Sequence, residues 1–566
     1  MILVVSIWCL VFFLFFIMSF IFFLLGVFFL NKSLSVYLNW LLFSWGSGDI
    51  VFTVLIDWVS MFFLSFVLFI SSSIFYYSGE YMEGEKEISR FIFLLAGFVF
   101  SMGLLIISPN FISILLGWDG LGLVSYCLVI YYQNLKSLNA GTLTVLSNRV
   151  GDVLILLSIV YMINYGDWVF VAWMGNMNIL VIVSGLIIMA SLTKSAQIPF
   201  SAWLPAAMAA PTPVSSLVHS STLVTAGVYL VVRMGWVYDF WLNELLMVSS
   251  VLTMFMAGLG ACFETDMKKV IALSTLSQLG LMMYGLSLGF IVLTLFHLLM
   301  HALFKALLFM GGGSIIHNMK GWQDLRSMGG VVSSLPFISA TFVISNLALS
   351  GMPFLSGFYS KDMILEISLM QEVNFLSLVI LFLSTGLTVA YTFRLVYYLV
   401  WRSHVMSSVM SISDGSGNMM KSCLGLSFFS IFFGSLMSWM IFDPVSIILP
   451  IFLKNFTLLV CISGGVLGFS ASVSSHFIFL KSSFLKWFVS SMWFLPYLST
   501  QPFLFNSLNK GLLIMEVSDM GWLEYFGGQG WNSKLMSFAI FMQMVSSMKF
   551  KIFLGVILLF FFIFIY

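Results

Sequence analysis

The chain has 566 residues, of which 23 are Lys or Arg and 22 are Asp or Glu, so only 8% of its side chains are charged. A soluble protein carries about 25%. Hydrophobic residues make up 61% of the chain, and the mean hydropathy is +1.09. These values exclude a soluble enzyme, a disordered chain and a nucleic-acid-binding protein, and they predict an all-α polytopic membrane protein.

Apolar runs long enough to cross a membrane recur along the whole chain. A membrane-spanning helix needs about 20 mostly apolar residues, and the sequence contains about sixteen such runs. Their continuous apolar character argues against the alternating pattern of a membrane β-barrel. The first run is too long for a cleaved signal peptide, so we predict it to be the first span. The predicted spans lie near residues 1–30, 51–77, 91–108, 111–132, 142–163, 178–210, 214–236, 245–262, 269–290, 291–313, 332–359, 375–400, 423–442, 446–470, 484–500 and 540–565.

Two of these apolar stretches contain helix-breaking residues. Pro199 and Pro205 interrupt residues 194–205, and Gly351 and Pro353 interrupt residues 351–362. Proline removes a backbone donor and clashes with the preceding turn, so the helix must open there. Paired interruptions in two halves of a membrane chain indicate an internally repeated transporter with ion sites near the membrane midplane. Ordinary proline kinks remain the alternative interpretation.

The carboxyl-terminal part differs in composition from the rest. Residues 503–535 lack a continuous apolar core, because charged side chains interrupt them at Lys510, Glu516, Asp519, Glu524 and Lys534. We predict that this segment lies along the membrane surface. A disordered polar connection is the alternative. The strongly apolar run at 552–566 is predicted to re-enter the membrane.

Several ionisable side chains fall inside apolar runs of the first half. A charge at the centre of a membrane helix costs roughly 2.5–3.5 kcal/mol, so each needs a partner or a function. Asp119 has no base near it in sequence, whereas Arg149 and Asp152 stand three residues apart and are predicted to pair. Lys194 lies at a predicted helix break and is a candidate proton carrier, with snorkelling as the alternative. His219, followed by three hydroxyl residues, is either a proton relay or a core histidine.

A second group of ionisable residues lies in the second half. His297, His301 and Lys305 stand at positions i, i+4 and i+8, so they share one stripe of a single helix. A metal site is disfavoured because no third ligand lies nearby in sequence. Lys361 and Asp362 follow the second interruption. This pattern favours proton conduction along a buried polar file, driven from outside the chain.

The sequence contains no recognisable redox or nucleotide motif. Its five cysteines are single and scattered, so neither an iron–sulfur site nor a disulfide framework is predicted. The glycines at 311–313 lack the lysine and the spacing of a phosphate-binding loop. The energy for transport is therefore expected to come from other proteins.

Motifs in the ionisable segments resemble those of the chain 5 family of mitochondrial NADH:ubiquinone oxidoreductase, respiratory complex I. The similarity includes Leu-Gly-Trp-Asp-Gly-Leu-Gly-Leu at 116–123 and Leu-Ser-Thr-Leu-Ser-Gln-Leu-Gly at 273–280. It is closest over about residues 100–365. The matching segments are residues 116–125, 147–152, 193–197, 211–222, 266–280 and 351–362.

The resemblance implies a fold and a proton route. It implies two inverted five-helix repeats, each with a broken helix, and a lateral amphipathic helix near the carboxyl terminus. Asp119 stands where the family usually has Glu, and it is implied to pair with Lys194, beside Arg149 and Asp152. The implied relay continues through His219, His297, His301 and Lys305 to Lys361, with Asp362 in support. The implied regions are residues 1–108, the antiporter-like core 109–400, further spans 401–502, the lateral helix 503–540 and the final anchor 541–566.

The same resemblance implies a role in the respiratory chain. The chain would be a proton-translocating membrane-arm subunit of the mitochondrial inner membrane, and so part of an NADH:ubiquinone reductase. It would hold no cofactor itself, while NAD, FMN, iron–sulfur clusters and ubiquinone would bind to other subunits. Its expected partners are other membrane-arm subunits, especially the antiporter-like chains 4 and 2, and phospholipids including cardiolipin. A cation/proton antiporter subunit and a non-conducting structural subunit are the alternatives.

Overall fold

Long apolar helices dominate the computed structural model. It describes residues 2–45, 48–169, 177–235, 240–371, 373–403, 414, 417–443, 447–473, 483–547 and 549–565. Within these residues, 12 helices are long and apolar enough to cross a membrane, or up to 13 if a bent carboxyl-terminal pair forms one span. The chain is therefore a multi-pass membrane protein. The count of sixteen spans and the inverted repeats stay predictions.

The helices of the first half are mostly long. Short helical turns at Trp203–Ala206 and Ala207–Ala209 separate two of them. The helices are α1 (Ile2–Lys32), α2 (Trp58–Tyr81), α3 (Ile88–Ile107), α4 (Phe111–Val129), α5 (Leu135–Ile163), α6 (Met177–Lys194), α7 (Thr212–Met234) and α8 (Phe240–Phe263).

The second half continues the bundle with helices of more varied length. A short turn at Val331–Ser334 precedes α11, and a π-helical turn at Phe358–Asp362 precedes α12. The helices are α9 (Met267–Ser287), α10 (Ile291–Asn318), α11 (Pro336–Ser350), α12 (Met363–Met370), α13 (Phe375–Trp401), α14 (Asn418–Ile441), α15 (Ile451–Val473) and α16 (Ser483–Ser490).

A β-hairpin precedes α2, so the prediction of an all-α chain is wrong at this point. Strand β1 (Val36–Trp45) pairs antiparallel with β2 (Gly48–Ile56), with a register irregularity between Leu41 and Phe43. The run predicted as one span at 51–77 therefore starts as a strand. Its β-branched and aromatic residues suit a strand as well as a helix, and periodicity cannot separate the two in a short apolar run. The span itself begins at Trp58.

Both predicted helix interruptions are present. Helix α6 ends at Lys194, and the following segment contains only short helical turns before α7. Helix α11 ends at Ser350, where Gly351 adopts a left-handed conformation with φ of 85°, and helical structure resumes at Phe358. A residue with φ in this range is usually glycine, because a side chain there would be strained. Each interruption places a lysine, Lys194 or Lys361, near the end of a helix, where backbone carbonyl groups lack helical partners.

Three helices form the interior of the bundle. All residues in the apolar windows of α7 and α9 are buried, as are most of those of α10. Helix α10 contacts α2, α9, α11, α14 and the π-helical part of α7 at Ser215–Thr222. Ionisable side chains in the buried stretches of these helices, such as His219, His297 and Lys305, consequently face other helices.

Residues 497–566 form a second compact unit. It contains α17 (Gln501–Ile514), a π-helical stretch at Met515–Leu523, a turn at Glu524–Phe526, α18 (Gly528–Ser546) and α19 (Phe550–Ile565). The helical stretch ending at Ser546 and helix α19 are bent by 108°. The proposed membrane-surface position and the predicted region boundaries stay predictions.

Candidate functional site

The first group of ionisable residues lies between α4 and α5. Arg149 Nη1 donates a hydrogen bond to Asp152 Oδ2 at 3.0 Å, so the predicted pair is confirmed as a contact. The same nitrogen lies 3.7 Å from Asp119 Oδ1. The side chains of Arg149, Asp119 and Asp152 are 47%, 33% and 11% exposed in the single chain. One guanidinium is thus shared by two carboxylates at the edge of the bundle.

Lys194 lies deeper, at the carboxyl end of α6, and is fully buried. Its Nζ donates to the backbone carbonyl of Trp118 at 2.7 Å and lies 3.9 Å from the centroid of the Trp118 ring. The described ion pairs join Asp119 to Arg149 and include no pair between Asp119 and Lys194 within 4.0 Å. The side chain of Asp119, which is one methylene shorter than that of Glu, thus does not reach the amine directly.

A series of contacts leads from Lys194 towards His219. The indole Nε1 of Trp203 donates to the carbonyl of Thr193 at 3.0 Å. The ring of Trp203 lies 6.2 Å from that of His219, centroid to centroid. His219 is buried, and both its ring nitrogens lack a hydrogen-bond partner among the described residues. It lies in the π-helical part of α7 that packs against α10, so the relay positions predicted in the first half adjoin the central helix.

Helix α10 presents the predicted stripe of three nitrogen-bearing side chains. His297, His301 and Lys305 are all buried, and the two imidazole rings lie 6.3 Å apart. Nδ1 of His297 shares a hydrogen bond of 2.8 Å with Oγ of Ser360, whereas neither ring nitrogen of His301 has a described partner. Lys305 Nζ donates to Oγ of Ser274 on α9 at 2.5 Å. The helix therefore carries a polar stripe through the apolar interior.

Lys361 follows directly on Ser360, which joins it to His297. It is buried, and its Nζ donates to Oγ1 of Thr388 at 2.9 Å and to the carbonyl of Leu349 at 3.4 Å. This carbonyl belongs to the last turn of α11, where backbone oxygens lack helical partners. The helix interruption thus supplies the acceptor that holds the lysine.

The partners of the three deeply buried lysines are all uncharged oxygen atoms. Lys194 meets a carbonyl, Lys305 a hydroxyl, and Lys361 one of each. The described ion pairs include none of these three lysines. Because an unpaired charge is costly in a low-dielectric interior, small movements of neighbouring charges can change their protonation.

Asp362 follows Lys361 in the chain, and the charges of the two side chains act on each other. It is partly buried, and its carboxylate interacts with Thr457 on α15. The hydrogen-bond partner of Asp362, Thr457, thus differs from those of Lys361, which are Thr388 and Leu349. Its supporting role stays a prediction.

Sequence reasoning missed the neutral groups that link the ionisable ones. Ser274 and Gln278 are one turn apart on α9, and both are buried. Their i, i+4 spacing within an apolar run was the signal that could have found them. The other missed residues are Trp118, Thr388 and Tyr391.

The described residues contain no group of three or more His, Cys, Asp and Glu side chains that could hold a metal ion. His297 and His301 share one helix face, but their neighbours there are Ser360, Lys305 and apolar side chains. The side chains that meet along this stripe carry amine, imidazole and hydroxyl groups.

Comparison with known proteins identifies relatives along the whole length. The family model described as "NADH:quinone oxidoreductase/Mrp antiporter, TM" matches residues 108–388. The models "NADH dehydrogenase subunit 5 C-terminus" and "NADH-Ubiquinone oxidoreductase (complex I), chain 5 N-terminus" match residues 391–566 and 40–92.

The full-length relatives include NADH-ubiquinone oxidoreductase chain 5 of Anopheles gambiae, 52% identical over 94% of this chain and 93% of the relative. The corresponding protein of Locusta migratoria is 51% identical over 96% of each chain. A chain of the Mrp complex from Dietzia sp. DQ12-45-1b shares the fold, with a TM-score of 0.74 and 20% identity over 96% of this chain and 63% of that chain. With family models matching nearly the whole sequence and relatives more than 50% identical over almost their full length, the chain belongs to the NADH-ubiquinone oxidoreductase chain 5 family and is a membrane-arm subunit of respiratory complex I.

Proposed function

We propose that this subunit conducts protons through the file formed by Lys194, His219, Lys305, His301, His297 and Lys361, coupled to quinone reduction elsewhere in complex I. One observation carries the proposal. These buried groups follow one another across α6, α7, α10 and the interruption before α12, through the interior of the bundle. A structural role alone does not account for three buried lysines paired only with neutral oxygens.

The shared guanidinium offers a way to control the first lysine. While Arg149 holds both Asp119 and Asp152, neither carboxylate lies within 4.0 Å of Lys194. If one of them moves towards Lys194, the charged amine becomes more favourable, and when it withdraws the proton is released. Released protons then pass along the histidines and lysines of α10 to Lys361. A short movement of one carboxylate at the edge of the bundle thereby controls proton transfer in the interior.

The proposal places the chain in the mitochondrial inner membrane beside other membrane-arm subunits. By its relatives, which are named as complex I chains, we expect the antiporter-like chains 4 and 2 as neighbours and phospholipids including cardiolipin at its surface. NAD, FMN, iron–sulfur clusters and ubiquinone are expected in other subunits, and Asp362 is expected to support Lys361. Residues 503–540 are proposed to lie along the membrane as a lateral helix.

The substitution Lys361→Met tests the proposal. It removes the amine but keeps an apolar chain of similar length, so it should abolish most proton translocation linked to NADH oxidation in the assembled complex. The measurement is the number of protons moved per electron in membrane vesicles. Lys421→Met is the matched control, because Lys421 is exposed on α14, and it should change nothing. An unchanged proton-to-electron ratio in Lys361→Met complexes would contradict conduction through this file.

Assays of cation and proton exchange distinguish the proposed proton conduction from cation/proton antiport. The fold is shared with a chain of an Mrp complex, and the family model covers both groups of proteins. Vesicles with Na⁺ or K⁺ gradients but without NADH should show no proton exchange through the assembled complex. Exchange under those conditions would favour a cation/proton antiporter.

A further inference from the structure

A polar branch leaves the file at Lys305. Its hydroxyl partner, Ser274, lies on the same face of α9 as Ser277 and Gln278. Oγ of Ser277 lies 3.2 Å from the hydroxyl of Tyr391 on α13, and this hydroxyl also interacts with Ser274 and Gln278. Tyr391 is fully buried. A single hydroxyl thus connects the lysine-bearing part of α9 to α13.

From Tyr391 a stripe of polar groups runs along α13 towards its end. Tyr391, Arg394 and Tyr398 stand at i, i+3 and i+7, which places them on one helix face. Arg394 Nη1 donates to the carbonyl of Ala261 at 3.0 Å, and its guanidinium carbon lies 5.8 Å from the centroid of the Tyr398 ring. The buried thiol of Cys262 interacts with both Tyr391 and Arg394. The stripe therefore continues from the interior to the turn between α8 and α9.

That turn lies in a patch of charged side chains. Lys269 pairs with Asp266 at 3.1 Å, and Arg326 pairs with Asp324 at 2.7 Å. An isolated β-bridge joins Asp266 to Asp324. Charges at this density belong at a membrane–water boundary, since they are too costly in hydrocarbon. The α8–α9 turn is thus the aqueous end of the stripe.

Glu264 stands where the stripe meets this patch. It is half-buried, and the charges of Lys269, Asp266 and Arg394 act on it. Burial raises the pKa of Glu264 above its ordinary value, with the opposing charges of Lys269 and Arg394 limiting the rise. Its carboxyl group consequently binds a proton at a higher pH than an exposed glutamate does.

We propose that Ser274, Ser277, Tyr391 and Glu264 form a proton-access branch between Lys305 and the aqueous face at the α8–α9 turn, with Arg394 as its positioning residue. This inference rests on the proposed function. Each hydroxyl accepts one proton and gives up another, so one proton moves and no charge stays on Tyr391. Arg394 holds the carbonyl of Ala261, and its charge acts on the carboxylate of Glu264. Water entering from the charged patch completes the step between Tyr391 and Glu264.

The branch makes Lys305 a junction in the file. A lysine that receives protons only from His219 would depend wholly on the first half of the chain. With the branch, Lys305 exchanges protons with the aqueous phase while its neighbours on α10 carry them towards Lys361. The second half could then be loaded independently of the first.

Tyr391→Phe tests the branch, because it removes one hydroxyl and keeps the ring. The proton-translocation rate of the assembled complex in NADH-energised vesicles is expected to fall by roughly tenfold, since a positioned proton-transfer group contributes at least that much. The solvent deuterium isotope effect on that rate should rise, a change that altered packing would not cause. Tyr284→Phe is the control, because Tyr284 is a buried tyrosine on α9 outside the branch. It should keep the wild-type rate and isotope effect.

Comparison of two variants distinguishes a failure of the proton-access branch from a failure of the proposed proton file. A normal rate and isotope effect in Tyr391→Phe, with a low rate in Lys305→Met, would overturn the branch and leave the file intact. Normal rates in both variants would overturn the proposed function as well. If Tyr391→Phe prevents assembly, Ser277→Ala and Glu264→Gln replace it. A raised isotope effect in either supports the branch, and wild-type behaviour in both overturns it.

Discussion

Two arginine–carboxylate sites in the same bundle are built in opposite ways. Arg233 on α7 binds Asp57 with two nitrogens, at 2.5 and 2.9 Å, and these side chains are only 15% and 16% exposed. Its Nε also donates to the hydroxyl of Tyr229, which donates to the carbonyl of Ile106. By contrast, Arg149 divides one nitrogen between two acids and is 47% exposed.

We call the Asp57–Arg233 site the clamp, because its contacts are short and fixed. We call the Arg149 site the switch, because one of its two contacts is long. In the Asp57–Arg233 site every polar group has a fixed partner, and Asp57 also caps the start of α2 by accepting from the backbone of Ser60. Such a site ties α2, α3 and α7 together and has no free acceptor to exchange. In the Arg149 site the longer contact, to Asp119, is easily lost or gained. The same residue types thus give rigidity in one place and an adjustable field beside Lys194 in the other.

Breaking the clamp should give the largest effect, and it should be on stability. Asp57→Asn leaves Arg233 charged and partly buried without its carboxylate, a change that typically costs about 3–5 kcal/mol. We expect a lower unfolding temperature and less assembled complex. Complexes that do assemble should move a normal number of protons per electron. A reduced proton-to-electron ratio at normal stability would show that the clamp takes part in transfer.

The pH dependence of the clamp follows from its charges. Burial alone would raise the pKa of Asp57, but the hydrogen bond and charge of Arg233 hold it below its ordinary value. The stabilisation is fully present above the unfolded value of about 3.9 and is lost as the pH falls through the lower folded value. The difference in unfolding temperature between the wild type and Asp57→Asn should therefore be the same at pH 5 and pH 8. A difference that shrinks between these values would contradict this assignment.

Arg149→Met should have the opposite result to Asp57→Asn, with a large effect on proton translocation and a small effect on stability. Because Arg149 is nearly half exposed, losing its ion pairs should change stability by under about 1 kcal/mol. Freed from the guanidinium, Asp119 and Asp152 can act on Lys194 without restraint and hold its proton. Because Lys194 then releases its proton less readily, translocation should fall by roughly tenfold, a change of about 1.4 kcal/mol in barrier height. Normal translocation with a large loss of stability would mean that Arg149 is a second clamp.

Sequence reasoning found the groups whose partners are close in the chain and missed those that packing brings together. The stripe of His297, His301 and Lys305 needs only helical periodicity, and the Arg149–Asp152 contact needs only a spacing of three. The clamp joins residues 176 positions apart, and the Lys194 contact with Trp118 spans 76. No local pattern specifies such contacts.

The hairpin was missed for a different reason. Residues 51–56 are apolar, β-branched and aromatic, and a short run of this kind is compatible with a strand or with the start of a span. Only the pairing with β1 and the cap at Asp57 decide between them. Interrupted helices were easier to predict, because Pro199 and Pro353 act through their own backbone.

Asp119→Glu should have the smallest effect of these variants. It tests the Arg149 site by changing the length of one side chain while keeping its charge. The added methylene lets the carboxylate reach further, so the 3.7 Å contact with Arg149 can shorten or the oxygen can approach Lys194. Because the charge is retained, translocation should stay within about twofold of wild type, a change of under about 0.5 kcal/mol in barrier height. Asp119→Asn, which has the same shape without the charge, should lower it considerably more. If Asp119→Asn also stays within about twofold of wild type, a change of under about 0.5 kcal/mol, the charge of Asp119 does not control Lys194, and the adjustable field would have to come from Asp152 alone.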